Sequence, residues 1–150
     1  MHIIRLNRIW IAWLMCVKSW KFFREIHKSG ERPPYIDICK LKPDRSLLSK
    51  FRLSAHSLAI EKGRYSNIER QNRVCLSCDT GEVENEYHFF STCPHYISLR
   101  KTFLQKINIK IVNSNISLRH MSVLFNSSLS VTLKITVNFL NDCFSMRKAI

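Results

Sequence analysis

Three cysteines and one histidine lie in the middle of the sequence at the spacing Cys75-x2-Cys78-x9-His88-x4-Cys93. Thiolates and imidazoles are zinc ligands, and four protein ligands make up the closed, tetrahedral sites in which zinc has a structural role. Two cysteines separated by two residues can place both sulfur atoms on one ion from a tight turn, while the second pair completes the tetrahedron. The pattern predicts one structural Zn2+ at these four residues.

The identity of the histidine ligand is open between two candidates. His95 could replace His88 if the chain folded back sharply at Pro94. The four-residue gap between His88 and Cys93 favours His88, which is expected in a short helical turn that Pro94 forces to end. Cys93 should then lie at the N-terminus of the following helix, where the helix dipole favours a thiolate.

The cysteines outside this array have a different pattern. Each occurs singly within an apolar segment, where buried free thiols are common; they are Cys16, Cys39 and Cys143. Six cysteines could instead form three disulfides in a secreted chain. The paired spacing of the central cysteines favours metal binding over disulfides.

Catalysis by the metal would require an open coordination position and a nearby general base. The predicted ligand set is already complete. Four acidic residues follow the cysteine pair, and we expect them to form a solvated loop and the start of a helix: Asp79, Glu82, Glu84 and Glu86. The sequence therefore predicts a protein that is not an enzyme and has no small-molecule substrate.

Positive charge is concentrated in the first half of the chain. The 24 Lys and Arg against 11 Asp and Glu give a formal net charge of +13, and residues 1–74 carry 16 of the basic side chains with 6 of the acidic ones. Such an imbalance favours a polyanionic partner, RNA or DNA. The predicted contacts are six residues on one face of a helix and on the connector that follows it: Arg45, Arg52, His56, Arg64, Arg70 and Arg73.

Apolar periodicity predicts a mainly α-helical fold. An amphipathic helix is expected over 1–32 and a helical zinc-binding domain over 33–150, with a core motif at 47–104. The apolar run at 9–17 is too short to cross a bilayer, which needs about 20 residues, and no small-x-small cleavage site follows it. A packed helix is thus favoured over a signal or membrane anchor, and a membrane partner is not expected.

Three further segments have helical signals. Pro43 begins a helix that is expected to end at Gly63 as a C-cap, and Pro94 begins another. Residues 129–139 alternate as a strand would, yet their apolar residues also fit a helical face. Periodicity leaves helix and strand open for this segment.

Four segments together resemble a known family: LSKFRLSAH (48–56), IEKGRY (60–65), RVCLSC (73–78) and ENEYHFFSTCP (84–94). They look like the zinc-binding region C-terminal to the reverse transcriptases of non-LTR, LINE-type retrotransposons. The resemblance implies a largely helical fold around a Cys-Cys-His-Cys site that helps to grip RNA or target DNA, and it favours a helix over 129–147. Carried over by position, it implies that Arg52, His56, Arg64 and Arg73 lie near nucleic acid.

The sequence departs from a polymerase in one respect. A palm domain needs metal-binding aspartates, usually in a Tyr-x-Asp-Asp motif, whereas the aspartates here are isolated: Asp37, Asp44, Asp79 and Asp142. Two-metal phosphoryl transfer is therefore not expected. The sequence predicts a non-catalytic, zinc-stabilised nucleic-acid-binding module. Two alternatives are a zinc-scaffolded protein-interaction module, in which the tryptophan-bearing N-terminal helix docks a partner, and a membrane-associated protein that uses residues 9–17.

Overall fold

The computed structural model describes residues 21–27, 31–109 and 114–148. These residues are mainly α-helical, as predicted, and the metal-ligand cluster lies between helices. The α-helices are α1 (Lys21–Ile26), α2 (Tyr35–Ile38), α3 (Lys42–Arg52), α4 (Ala59–Tyr65), α5 (Ile97–Lys106), α6 (Leu118–Phe125) and α7 (Ser130–Lys148). Shorter helical turns are Arg70–Asn72, His88–Thr92 and Pro94–Tyr96.

Aromatic side chains from most of these elements meet in one core. The ring of Phe51 in α3 stacks on that of Phe125 in α6, with centroids 5.6 Å apart, and lies 6.0 Å from the ring of Phe89. Phe89 in turn contacts Phe144 of α7, with centroids 4.7 Å apart. Because three of these rings are almost fully buried, the turn that carries His88 is anchored directly in the core.

The predicted N-terminal helix is described only from Lys21, so its tryptophans, Cys16 and the apolar run at 9–17 lie outside the described residues. The described part packs into the same core as the rest of the chain. Phe22 makes edge-on contacts with the rings of Phe51 and Phe125, at 5.5 and 6.2 Å between centroids.

The single helix predicted from Pro43 to Gly63 is wrong. Pro43 does lie in the first turn of α3, but α3 ends at Arg52 and a separate helix, α4, begins at Ala59. Ser54 takes a positive φ of 57°, which interrupts the helix. Two carboxylates from the segment between Cys78 and His88 stabilise the interruption between the two helices. Glu86 accepts a hydrogen bond from the Ser54 hydroxyl, and Glu84 accepts one from the backbone amide of Ala59. Gly63 is inside α4 and not at its end.

The ambiguous C-terminal segment is helical. Residues 129–139 fall almost entirely within α7, and Leu133, Val137 and Leu140 on one face are fully buried. Among the described residues, no single helix has both the length and the apolar character needed to cross a bilayer; α6 and α7 meet these criteria only together, across a bend of 118°.

Candidate metal centre

The four predicted ligands converge in the structure. Their ligand atoms all lie within 4.8 Å of one another. The Sγ atoms of Cys75 and Cys93 are 3.9 Å apart, and the Sγ of Cys78 lies 3.4 Å from Nε2 of His88. Three of these side chains are buried and that of Cys78 is half-buried. This cluster is close enough to hold a metal ion.

The cysteine pair is positioned by a short antiparallel ribbon. Val74 and Val83 form its bridge, and the amide of Cys75 donates to the carbonyl of Glu82 at 2.8 Å. Gly81, with φ 68°, makes the turn that allows the chain to return. The loop therefore presents both sulfur atoms to the same side, as the two-residue spacing predicts.

The second ligand pair is positioned by an unusually wide helical turn. The amide of Cys93 donates to the carbonyl of His88, five residues earlier, at 2.8 Å. The side chain of Asn85 caps the start of this turn by accepting from the amide of His88, also at 2.8 Å. Cys93 immediately precedes the helical turn that Pro94 begins, as predicted. Such i to i+5 turns are often found at functional sites.

His95 is not part of the cluster. Its ring packs edge-on against that of Tyr96, with centroids 4.9 Å apart. The ligand atoms that come together are those of His88 and the three cysteines. Of the two histidines considered from the sequence, the structure brings His88 to the site.

Glu82 orients the imidazole of His88. Its Oε2 lies 2.7 Å from Nδ1 of the ring, and the hydroxyl of Thr92 lies 3.2 Å from the same nitrogen. A proton on Nδ1 that is donated to the carboxylate leaves Nε2 free to bind a metal, and this carboxylate-histidine arrangement is common around zinc. The sequence interpretation placed Glu82 in a solvated loop and missed this role, which its position six residues before the histidine could have suggested.

The thiols and the imidazole perturb one another. The hydrogen bond with Cys93 lowers the pKa of Cys75 to about 3 against the effect of burial, and the same contact raises the pKa of Cys93. Burial lowers the pKa of His88, but hydrogen bonds to the two thiols of the Cys-x2-Cys pair and to Glu82 outweigh it and raise the pKa to about 9. The cluster thus already stabilises one negative sulfur, and a bound cation would displace the remaining protons.

Two of the acids predicted to be solvated are buried instead. Glu84 is 1% exposed and receives two hydrogen bonds from Arg147, at 2.6 and 2.9 Å. Glu86 accepts from the Ser54 hydroxyl and lies 3.0 Å from Nε2 of His56. Burial raises the pKa of Glu86, yet its bonds to His56 and Ser54 leave the pKa below the ordinary value. Since each acid has close partners, its burial is compensated.

Arg52 is not on an exposed basic face. It is fully buried, and its guanidinium donates to the carbonyl of Phe125 at 2.7 Å and to Oδ1 of Asn126 at 3.1 Å. Burial lowers its pKa to about 10, a value at which it stays charged at neutral pH. Bonds to the end of α6 and the start of the α6–α7 connection occupy both terminal nitrogens of Arg52, so the structure does not expose this side chain on the predicted basic face.

His56 is also absent from the predicted exposed face. Its side chain is almost fully buried in the ion pair with Glu86. It follows the break after α3 and is not on the face of that helix. The sequence analysis placed His56 on the same helical face as Arg45 and Arg52, and this placement is wrong because the helix ends at Arg52.

Two other predicted contacts are partly buried and bound to backbone carbonyls. Arg73 donates to Ile60 at 2.8 Å and twice to Ile68, at 2.9 and 2.7 Å. Arg45 donates to Cys39 and Lys40, at 2.6 and 2.9 Å. Both side chains therefore stabilise turns, although each keeps some exposure.

Arg64 and Arg70 are exposed, as predicted. Together with Arg73 they line one open cavity of about 440 Å³, which is also lined by Lys21 of α1. Lys21 was not among the predicted contacts because it is more than forty positions away in the sequence. Folding thus brings a basic residue of α1 to the three arginines of α4 and the connector.

Comparison with protein-family models, with curated proteins and with solved structures finds no match.

Proposed function

We propose that the cluster holds one structural zinc ion and that the protein is a non-catalytic nucleic-acid-binding module. Three thiolates with one imidazole are a ligand set typical of zinc. Tetrahedral coordination with Zn–S near 2.3 Å and Zn–N near 2.05 Å requires about 3.8 Å between two sulfur atoms and about 3.6 Å between sulfur and nitrogen. The corresponding distances here are 3.9 Å for Cys75 and Cys93 and 3.4 Å for Cys78 and His88. This agreement is the observation that carries the zinc assignment.

The metal would act on folding and not on a substrate. Four protein ligands leave no open coordination position for water. Glu84 and Glu86, the buried acids nearest in sequence to His88, are engaged by Arg147 and His56 and are not free to act as general bases. Structural zinc contributes an apparent ~10 to 16 kcal/mol in small modules, about the size of a typical domain stability.

The nucleic-acid part of the proposal is supported by charge and by the family resemblance. The chain carries a formal charge of +13. Two exposed arginines, Arg64 of α4 and Arg70 of the connector, share a cavity with Lys21 of α1. Phosphate oxygens are the groups that such side chains bind, and they need no sequence information to do so.

Metal content and nucleic-acid binding can be tested separately. Native mass spectrometry of the purified chain should show one zinc, which His88→Ala removes and His95→Ala retains. Loss of helical circular dichroism on chelation is expected, and full structure without metal would overturn the zinc assignment.

For binding, fluorescence anisotropy with labelled DNA or RNA should give an affinity that falls with salt. The log-log slope is expected to be about 0.9 per phosphate contacted on duplex DNA. Arg70→Gln should reduce the slope by about 1, whereas Lys101→Gln, which removes an exposed charge from α5, should not. An affinity independent of salt would overturn the nucleic-acid proposal and leave the zinc assignment intact.

A further inference from the structure

Two cavities adjoin the side chains of Lys21 and Glu25 on α1. The first, of about 440 Å³, lies between α1, α4 and the helical turn Arg70–Asn72. The second, of about 780 Å³, lies between α1 and the first half of α6. Both are lined by Lys21 and Glu25, so the two cavities are neighbours, and we call them together the α1 groove.

The α1 groove has an excess of positive charge. Its basic lining residues come from α1, α4, the connector and α6: Lys21, Arg24, Arg64, Arg70, Arg73 and Arg119. Its three acids each have a basic neighbour within 4 Å: Glu25 with Lys21, Glu61 with Arg64, and Glu86 with His56. Six basic against three acidic lining residues leave a formal charge of +3, which favours an anionic occupant.

An exposed aromatic ring stands beside this groove. Tyr65, at the end of α4, is 77% exposed, and it is the one aromatic side chain among the strongly exposed apolar residues of the described ranges. The guanidinium of Arg64, a lining residue of the groove, lies over the ring with its central carbon 4.5 Å from the centroid. An aromatic ring paired with an arginine is a surface on which an unpaired base can stack.

We propose that the α1 groove binds single-stranded nucleic acid, with phosphates along Lys21, Arg70 and Arg119 and a base stacked at Tyr65. This inference rests on the proposed nucleic-acid function and adds to it the strandedness of the partner and a contact surface on α6. A duplex offers the same phosphates, but its bases are already stacked and paired. Only a single strand can therefore use Tyr65.

The test is fluorescence anisotropy on the full, zinc-loaded chain with labelled oligothymidine, labelled oligouridine and a duplex of matched length. Tyr65→Leu should weaken binding to at least one of the single strands about fivefold or more, since stacking on an aromatic ring contributes about 1 to 3 kcal/mol per base. Tyr65→Phe keeps the ring and should bind as the unmodified chain does. Neither variant should change binding to the duplex.

A second pair of variants tests α6. Arg119→Gln should lower the log-log salt slope on the single strand by about 0.7, the value for one phosphate contact, and Lys101→Gln should leave it unchanged. Because Arg119 is an exposed helical residue, this variant is expected to fold even if Tyr65→Leu does not. Zinc content and melting temperature verify the fold of each variant.

The outcomes separate the two proposals. Salt-dependent binding that is indifferent to both Tyr65→Leu and Arg119→Gln, or equal affinity for duplex and single strand, overturns the α1-groove proposal and leaves the nucleic-acid function standing. Absence of salt-dependent binding in the unmodified chain overturns both.

Discussion

The guanidinium of Arg147 and the carboxylate of Glu84 form a two-point ion pair, with Nε 2.6 Å from Oε1 and Nη2 2.9 Å from Oε2. The same carboxylate accepts the amide of Ala59 at the start of α4, and the carbonyl of Glu84 accepts the amide of Ile60 at 3.1 Å. Glu84 follows the ribbon that carries the cysteine pair. One acid therefore joins α4 and α7 to the metal-ligand segment.

Arg147→Met is expected to destabilise the protein by about 2 to 4 kcal/mol, because it leaves a buried carboxylate without its cationic partner. The free energy of unfolding is measured by urea denaturation in the presence of zinc. Zinc stoichiometry should stay at one, since Arg147 contacts none of the four ligands in the cluster.

A double-mutant cycle supplies the control. If the loss comes from the unpaired charge, Glu84→Gln together with Arg147→Met should cost less than the sum of the two single substitutions. Strict additivity would mean that the ion pair is not the source of the effect.

Glu82→Gln is expected to weaken zinc affinity about tenfold or more, because a neutral amide holds the His88 imidazole less firmly than a carboxylate does. Competition with a chelator of known affinity measures the change. Asp79→Asn is the matched control: it removes the same charge from an exposed acid of the same loop. Equal losses in both variants would show a general electrostatic effect and refute the orienting role of Glu82.

Arg52→Met is expected to lower the free energy of unfolding by about 2 to 4 kcal/mol while leaving the salt slope of nucleic-acid binding unchanged. The stability loss follows from the unsatisfied carbonyl of Phe125 and the lost bond to Asn126. Arg64→Met, at an exposed site, should give the reverse: a small stability change and a reduced slope. A salt slope altered by Arg52→Met in a fully folded protein would contradict the structural role given to Arg52.

The ligand cluster was predictable because its information is local. The Cys-x2-Cys turn and the Pro94 stop restrict where the sulfur atoms can lie, and zinc chemistry restricts the residue types. The partners of the buried charges were not predictable in this way. Arg52 finds its acceptor 73 residues away and Glu84 finds its cation 63 residues away. The apolar periodicity of a single segment cannot predict contacts between residues so far apart in the sequence.

For the fold, too, features set by local sequence were predictable and features set by distant contacts were not. Helical periodicity predicted the mainly α class and the helix that follows Pro94, since both depend on residues three and four apart. It failed after Arg52, where apolar residues keep the helical spacing through Leu58 but the chain turns at Ser54. The partners that hold this turn are Glu84 and Glu86, which come from the ligand-bearing segment. A tertiary contact overrode a local preference there.

Gly63→Ala is expected to destabilise the protein by about 1 to 3 kcal/mol, opposite in sign to the usual gain of about 1 kcal/mol for this change inside a helix. An added Cβ would lie 2.5 Å from Cγ and 2.7 Å from Cδ of Arg73. Arg73 cannot move aside freely, because its guanidinium is bound to the carbonyls of Ile60 and Ile68. Urea denaturation measures the effect.

When Arg73→Ala has already removed that side chain, the same Gly63→Ala change should become stabilising by about 1 kcal/mol. A glycine substitution with the same effect in both backgrounds would mean that contact with Arg73 is not what requires glycine at this position.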